Sequence, residues 1–280
     1  MSIRSWIGGH SASRDKQTAG EAPGDNPPAS TPHTQYASDQ PIRSKANDQF
    51  NRLPFAQRIA EILSRRADPS SLVVGIYGPW GDGKTSTLNL LEEALSEHKN
   101  SIPFTFNPWY FTTEESLLRG FFTSLGEKLG TSLKTKSEQI APALKKYGTL
   151  LGAASVGVMG FQVSPGRALK ELGDQLSVIE LDELRTRVER ALREAGKRIV
   201  VLIDDIDRLD RNEIHAIFKL VKLSAGFEFT SYVLAFDDEI VSAALGERYG
   251  EGGAEAGRKF VEKIIQVPLH LPPPDGIALG

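Results

Sequence analysis

The sequence contains no cysteine, which excludes disulfides and thiolate chemistry and suits a cytosolic setting. Long apolar runs are scarce as well. After Met1 the segment SIRSWIGGHSASRDK never gathers seven apolar residues in a row, so no secretory signal is expected. No stretch meets the standard of about 20 predominantly apolar residues for a spanning helix. An excess of charge of one sign is also lacking. With 33 Lys and Arg against 36 Asp and Glu, the net charge is −3, which argues against a surface coated for non-specific nucleic-acid binding. What is present is ordinary for a globular chain. Of 280 residues, 40% are hydrophobic and 25% charged, enough for one large α/β domain with tails.

Residues 1–45 read as a disordered tail, because TAGEAPGDNPPASTPHTQYASDQP has neither helical nor strand periodicity. Order is expected from about Asp48, with an amphipathic helix placing Phe55, Ile59, Ile62 and Leu63 at helical spacing. LVVGIY at Leu72 to Tyr77 has the nearly continuous apolar character of a strand buried on both faces. Further strands are predicted at Phe104–Asn107, Ile199–Ile203, Tyr232–Phe236 and Gln266–Leu271. A helix carrying Leu181, Leu184, Val188, Leu192 and Ala195 ends at Gly196, and Asp210 with Glu213 forms a capping box for another. Strands that alternate with helices predict a parallel α/β sheet.

Between the first strand and its helix lies Gly78-Pro79-Trp80-Gly81-Asp82-Gly83-Lys84-Thr85, a full match to G-x-x-x-x-G-K-[ST]. A triphosphate concentrates negative charge, and successive backbone N–H groups can wrap it only where the chain accepts positive φ and close approach. Glycine supplies both. The following helix turns the positive end of its dipole to the same place, so residues Gly78 to Ser86 are the candidate phosphate cradle. Lys84 would reach the outer phosphates, and the Thr85 hydroxyl would ligate Mg²⁺. The strand IVVLI runs straight into Asp204 and Asp205. Asp204 is placed to hold the magnesium shell and Asp205 to orient or deprotonate an attacking water. Asp207 and Arg208 either pair to hold the turn or, for Arg208, contact phosphate in a neighbouring subunit. Asp237, at the end of the fourth strand, is either a sensor between nucleotide and water or a helix N-cap.

GIYGPWGDGKTS, FNPWYF, VVLIDDIDRLD, YVLAFDDEIV and KFVEKIIQVPLHLP, in this order, closely resemble the KAP group of P-loop NTPases. The resemblance spans roughly residues 48–274. It implies a three-layer α/β fold of the additional-strand type, in which the strands bearing the two motifs are not adjacent. It implies ATP as the nucleotide, a domain over residues 46–274 with a helical insertion at about 113–195, and a role in signalling or phage and plasmid conflict. Many members of the group carry transmembrane helices between the two motifs.

The charge-free run from Tyr147 to Gly166 is the place to look for such helices, but one pass would leave the halves of a single domain on opposite sides of a membrane. Two passes need about 40 residues. A Gly-rich buried helix or an interfacial remnant is expected, and the chain is expected in the cytoplasm, at most peripheral to the membrane. Residues 275–280 read as a short C-terminal stub, expected either from truncation or because a partner domain is supplied elsewhere. The leading function is a Mg²⁺-dependent ATPase driving conformational change or assembly in an unknown protein partner or a homo-oligomer. A membrane-associated ATP-gated scaffold and a nucleic-acid motor are the alternatives, the second lacking any helicase motif or aromatic–basic patch. Arg208 and Arg258 are the candidates for an arginine donated across an interface.

Overall fold

The computed structural model describes residues 40–133, 137–156, 175–247 and 252–273. Five strands form one sheet: β1 (Leu72–Tyr77), β2 (Ser101–Phe106), β3 (Arg198–Ile203), β4 (Thr230–Phe236) and β5 (Val267–His270). Their order is β2-β3-β4-β1-β5, and every neighbouring pair is parallel. β4 therefore separates β1 from β3, as the resemblance implies.

Residues alternate between the two faces of a strand, so each face of the sheet collects its own core. Val74, Ile76, Val200, Leu202, Val233 and Ala235 pack against helices α1 (Leu53–Arg65) and α2 (Lys84–Ser96). Val73, Tyr77, Val201, Ile203, Leu234 and Phe236 face the other way. There they meet α3 (Glu114–Ser132), α4 (Ser137–Val156), α5 (Gln175–Ala195), α6 (Arg211–Ser224), α7 (Asp238–Gly246) and α8 (Gly253–Glu262). The result is three layers around a parallel sheet, with β1, β3 and β4 almost wholly buried. β2 begins earlier than expected and includes Pro103, which an edge strand tolerates because the lost N–H need not serve a neighbour.

The local punctuation follows the sequence. Gly196 closes α5 at φ 61°, and Asp210 and Glu213 form the reciprocal capping box of α6. Ile62 departs from the pattern: it is exposed, and α1 buries Ala56, Ile59, Ala60 and Leu63 instead. Residues 40–45, expected in the tail, pack on α2: the Ile42 N–H donates to Ser86 Oγ (3.2 Å), and Asn89 Nδ2 donates to the Ile42 carbonyl (2.8 Å). The rest of that tail and the stub at 275–280 lie outside the described residues.

The described part of the insertion is helical. The first ten residues of the apolar run form the end of α4, whose Gly148 lies so close to α3 that a Cβ there would sit 2.8 Å from Phe122 Cβ. The remainder of the run, 157–166, lies outside the described residues. Among the described residues, no helix is long and apolar enough to cross a membrane.

Candidate nucleotide-binding site

β1 ends at Tyr77, and the chain turns at once, with the Gly78 N–H held by the Phe236 carbonyl of β4 (3.3 Å). Gly81 and Gly83 adopt φ of 89° and 84°. A Cβ at Gly81 would meet nothing within 4 Å, so it is the left-handed backbone, not space, that calls for glycine there. α2 then starts at Lys84, and the N–H groups of its first turn have no intrahelical acceptor. The result is a backbone cradle of the kind an anion requires, with the helix dipole aimed into it.

Lys84 folds inward beneath this loop. Its ammonium donates to the carbonyls of Gly78 (2.9 Å) and Pro79 (3.0 Å) and pairs with Asp207 Oδ2 (3.1 Å). Thr85, next along α2, brings its hydroxyl close to the Asp204 carboxyl at the end of β3, so the expected magnesium ligands lie side by side. Burial raises the Asp204 carboxyl above the ordinary range, and the nearby Thr85 hydroxyl opposes this while the Asp205 and Asp207 charges add to it. Asp205 takes left-handed backbone (φ 57°), and its N–H donates to Asp204 Oδ1 (2.8 Å). Its own carboxyl is likewise raised by burial, against the pull of Arg208.

The turn after β3 corrects one expectation. Asp207 and Arg208 do not pair with each other. The 3₁₀ turn Ile206–Arg208 sends Asp207 inward to Lys84 and Arg208 outward, where its Nε meets Asp205 Oδ1 (2.9 Å) and its guanidinium lies over Trp80. Asp237 takes the N-cap form of its two alternatives: its carboxylate accepts the Glu239 and Ile240 N–H groups, and its own N–H donates to Asp207 Oδ2 (3.1 Å). Arg258 sits on the exposed side of α8 and takes part in none of these contacts.

Two contributors escaped sequence reading. Arg52, buried at the start of α1, donates to the Asp82 carbonyl in the glycine loop (3.4 Å) and to the Pro272 carbonyl beyond β5. Segment 40–43 borders a cleft of about 690 Å³ beside Thr85, lined also by Asn89 and Glu92. An arginine in a helical pattern and a segment inside a polar tail carry no signal for either role.

Sheet order, glycine loop, lysine and strand-end acids together define a P-loop nucleoside triphosphatase domain. The chain belongs to the KAP family of P-loop domains, whose model matches residues 52–279. It is 23% identical over 269 residues to the phage T7 exclusion protein of Escherichia coli (strain K12), covering 88% of this chain and 36% of that protein. The chain thus spans about a third of that relative's length. Among solved structures, it shows a loose likeness to the Aeropyrum pernix ORC1 protein in complex with DNA, with TM-score 0.37 and 17% identity over 80% of this chain and 45% of that one. Cdc6p from Pyrobaculum aerophilum gives TM-score 0.37 and 13% identity over 84% and 47%.

Proposed function

We propose that the protein binds ATP with Mg²⁺ and hydrolyses it, using the cycle to change the conformation or assembly of a protein partner. The observation that carries this reading is that the glycine loop and the start of α2 face the acids after β3, with Lys84 on Asp207 and Thr85 beside Asp204. The N–H groups of residues 81–86 bind the phosphates, and Lys84 adds a side-chain cation to them. Thr85 and Asp204 hold the magnesium ion, which when bound supplies the positive charge that neutralises the reacting phosphoryl group. Asp205 orients the attacking water and accepts its proton, and burial, which raises its carboxyl, makes it the more basic. The name of the T7 exclusion relative supports a part in conflict with phage, carried out with regions or partners beyond this domain.

Equilibrium titration with Mg·ATP and single-turnover assays test this reading. Lys84→Ala should weaken binding severely. Asp205→Asn should keep ATP bound yet slow turnover by ~10²-fold or more, the scale of a lost general base. Unchanged affinity in the first variant would remove the binding assignment, and unchanged turnover in the second would remove Asp205 as the base.

A further inference from the structure

Lys84 has no hydrogen left to give. An ammonium carries three donors, and here they go to the Gly78 carbonyl, the Pro79 carbonyl and Asp207 Oδ2. Both partners of the ion pair are buried, with side chains only 9% and 7% exposed. A phosphate that engages Lys84 must therefore displace one of these acceptors. Two are neutral carbonyls in the same loop. The third carries full charge, stands on a different loop, and would be repelled by the incoming anion.

Asp207 Oδ2 has a second donor, the Asp237 N–H at the N-cap of α7. One oxygen thus joins the phosphate-seeking lysine to the N-cap residue of a helix. That helix does not move alone. α7 and α8 pack backbone to backbone, with Gly246 against Gly253 and Gly257 against the Ser242 carbonyl, and α8 leads into β5 beside β1.

We propose that Asp207 is a latch: it competes with phosphate for Lys84, holds down nucleotide affinity, and passes its release to the α7–α8 hairpin. The inference rests on the reading of residues 78–86 as a nucleotide cradle. Once Lys84 turns to phosphate, Asp207 is a carboxylate without its cation, next to Asp204 and Asp205. A charge left in that position is strongly unfavourable, so the Asp207 side chain and the α7 N-terminus it grips must rearrange. Occupancy of the cradle is thereby converted into a displacement at the α7 N-terminus.

Asp207→Asn separates the latch from the cradle. The amide keeps an oxygen for the Asp237 N–H but offers Lys84 no charge. With Mg²⁺ and the slowly hydrolysed β,γ-imido analogue of ATP as titrant, the variant should bind about tenfold tighter than the native protein, the low end of close charge-pair couplings. In the native protein the same ligand should accelerate hydrogen exchange at the Asp237 amide, and in Asp207→Asn exchange there should not respond. A folded Asp207→Asn protein with equal or weaker affinity would overturn the latch, and so would native exchange at Asp237 that ignores the ligand. The exchange measurement needs no variant and decides the matter even if Asp207→Asn does not fold. Lys84→Ala marks the difference in cause. If it binds as well as the native protein, the cradle reading fails. If it does not bind and Asp207→Asn gains nothing, only the latch fails.

Discussion

The Arg208 guanidinium lies 5.1 Å from the centre of the Trp80 ring while its Nε holds Asp205. One side chain thus joins the tip of the glycine loop to the acid proposed to prepare water. A cation–π contact at an exposed site is worth about 0.5–1 kcal/mol. Trp80→Ala should therefore lower ATP turnover about two- to fivefold with little change in melting temperature, and Trp80→Phe should restore most of it. Turnover in Trp80→Ala equal to the native rate, measured by phosphate release, would show that the contact does not position Asp205.

The buried pair of Lys84 and Asp207 makes a statement about stability as well as binding. Removing one member leaves the other charge uncompensated, at a cost of about 3–5 kcal/mol. Lys84→Ala should consequently melt lower than the native protein, and adding Asp207→Asn should recover much of the loss without restoring nucleotide binding. Additive losses in the double variant, by urea denaturation, would argue that the pair is not coupled.

Asp68 gives a pH dependence remote from the site. Its carboxylate accepts the Ser70 hydroxyl (2.6 Å) and N–H (2.9 Å) and pairs with Arg66 (2.6 Å), which holds its pKa down at about 2. A depressed carboxyl contributes stability above its unfolded value near 3.8, and that contribution fades as pH falls towards 2. Asp68→Asn should accordingly lower stability at neutral pH and flatten the acid limb between about pH 4 and 2. Parallel acid limbs in thermal melts of the two proteins would contradict it.

Close helix packing supplies a fourth expectation. A Cβ at Gly257 would collide with the Ser242 carbonyl, which is backbone and cannot rotate away. At Gly152 the nearest atoms are Glu115 Cγ at 3.0 Å, which can swing aside, and the Glu115 carbonyl oxygen at 3.2 Å, a much milder approach. Gly257→Ala should cost about 1–3 kcal/mol or more, the range of overpacking, and Gly152→Ala distinctly less. Equal denaturation midpoints for the two variants would be inconsistent with the backbone-to-backbone contact of α7 and α8.

Much of this is legible in the sequence. The glycine loop announces itself because few residue types tolerate the φ of Gly81 and Gly83, and β1, β3 and β4 because a strand covered on both faces has no polar side to show. The partners of Asp207 and Arg208 were not legible. Adjacent residues in a 3₁₀ turn point apart, and which one turns inward depends on where Lys84 lies across the sheet. Nor was the docking of residues 40–45, since it uses the Ile42 backbone rather than a patterned side-chain face. Ile62 shows the converse: helical spacing marks a stripe, but Ala56 and Ala60 let α1 approach the sheet on a slightly different line.

Pro103 has a consequence for how the molecule can meet other chains. β2 forms one margin of the sheet, and its pairing with β3 turns the N–H groups of Ile102 and Phe104 inward and those of positions 101, 103 and 105 outward. Ser101 gives its N–H back to the His98 carbonyl, and Pro103 has none. Of the three outward positions, Thr105 alone retains a donor, so a foreign strand seeking to zip onto this margin would find one rung where it needs several.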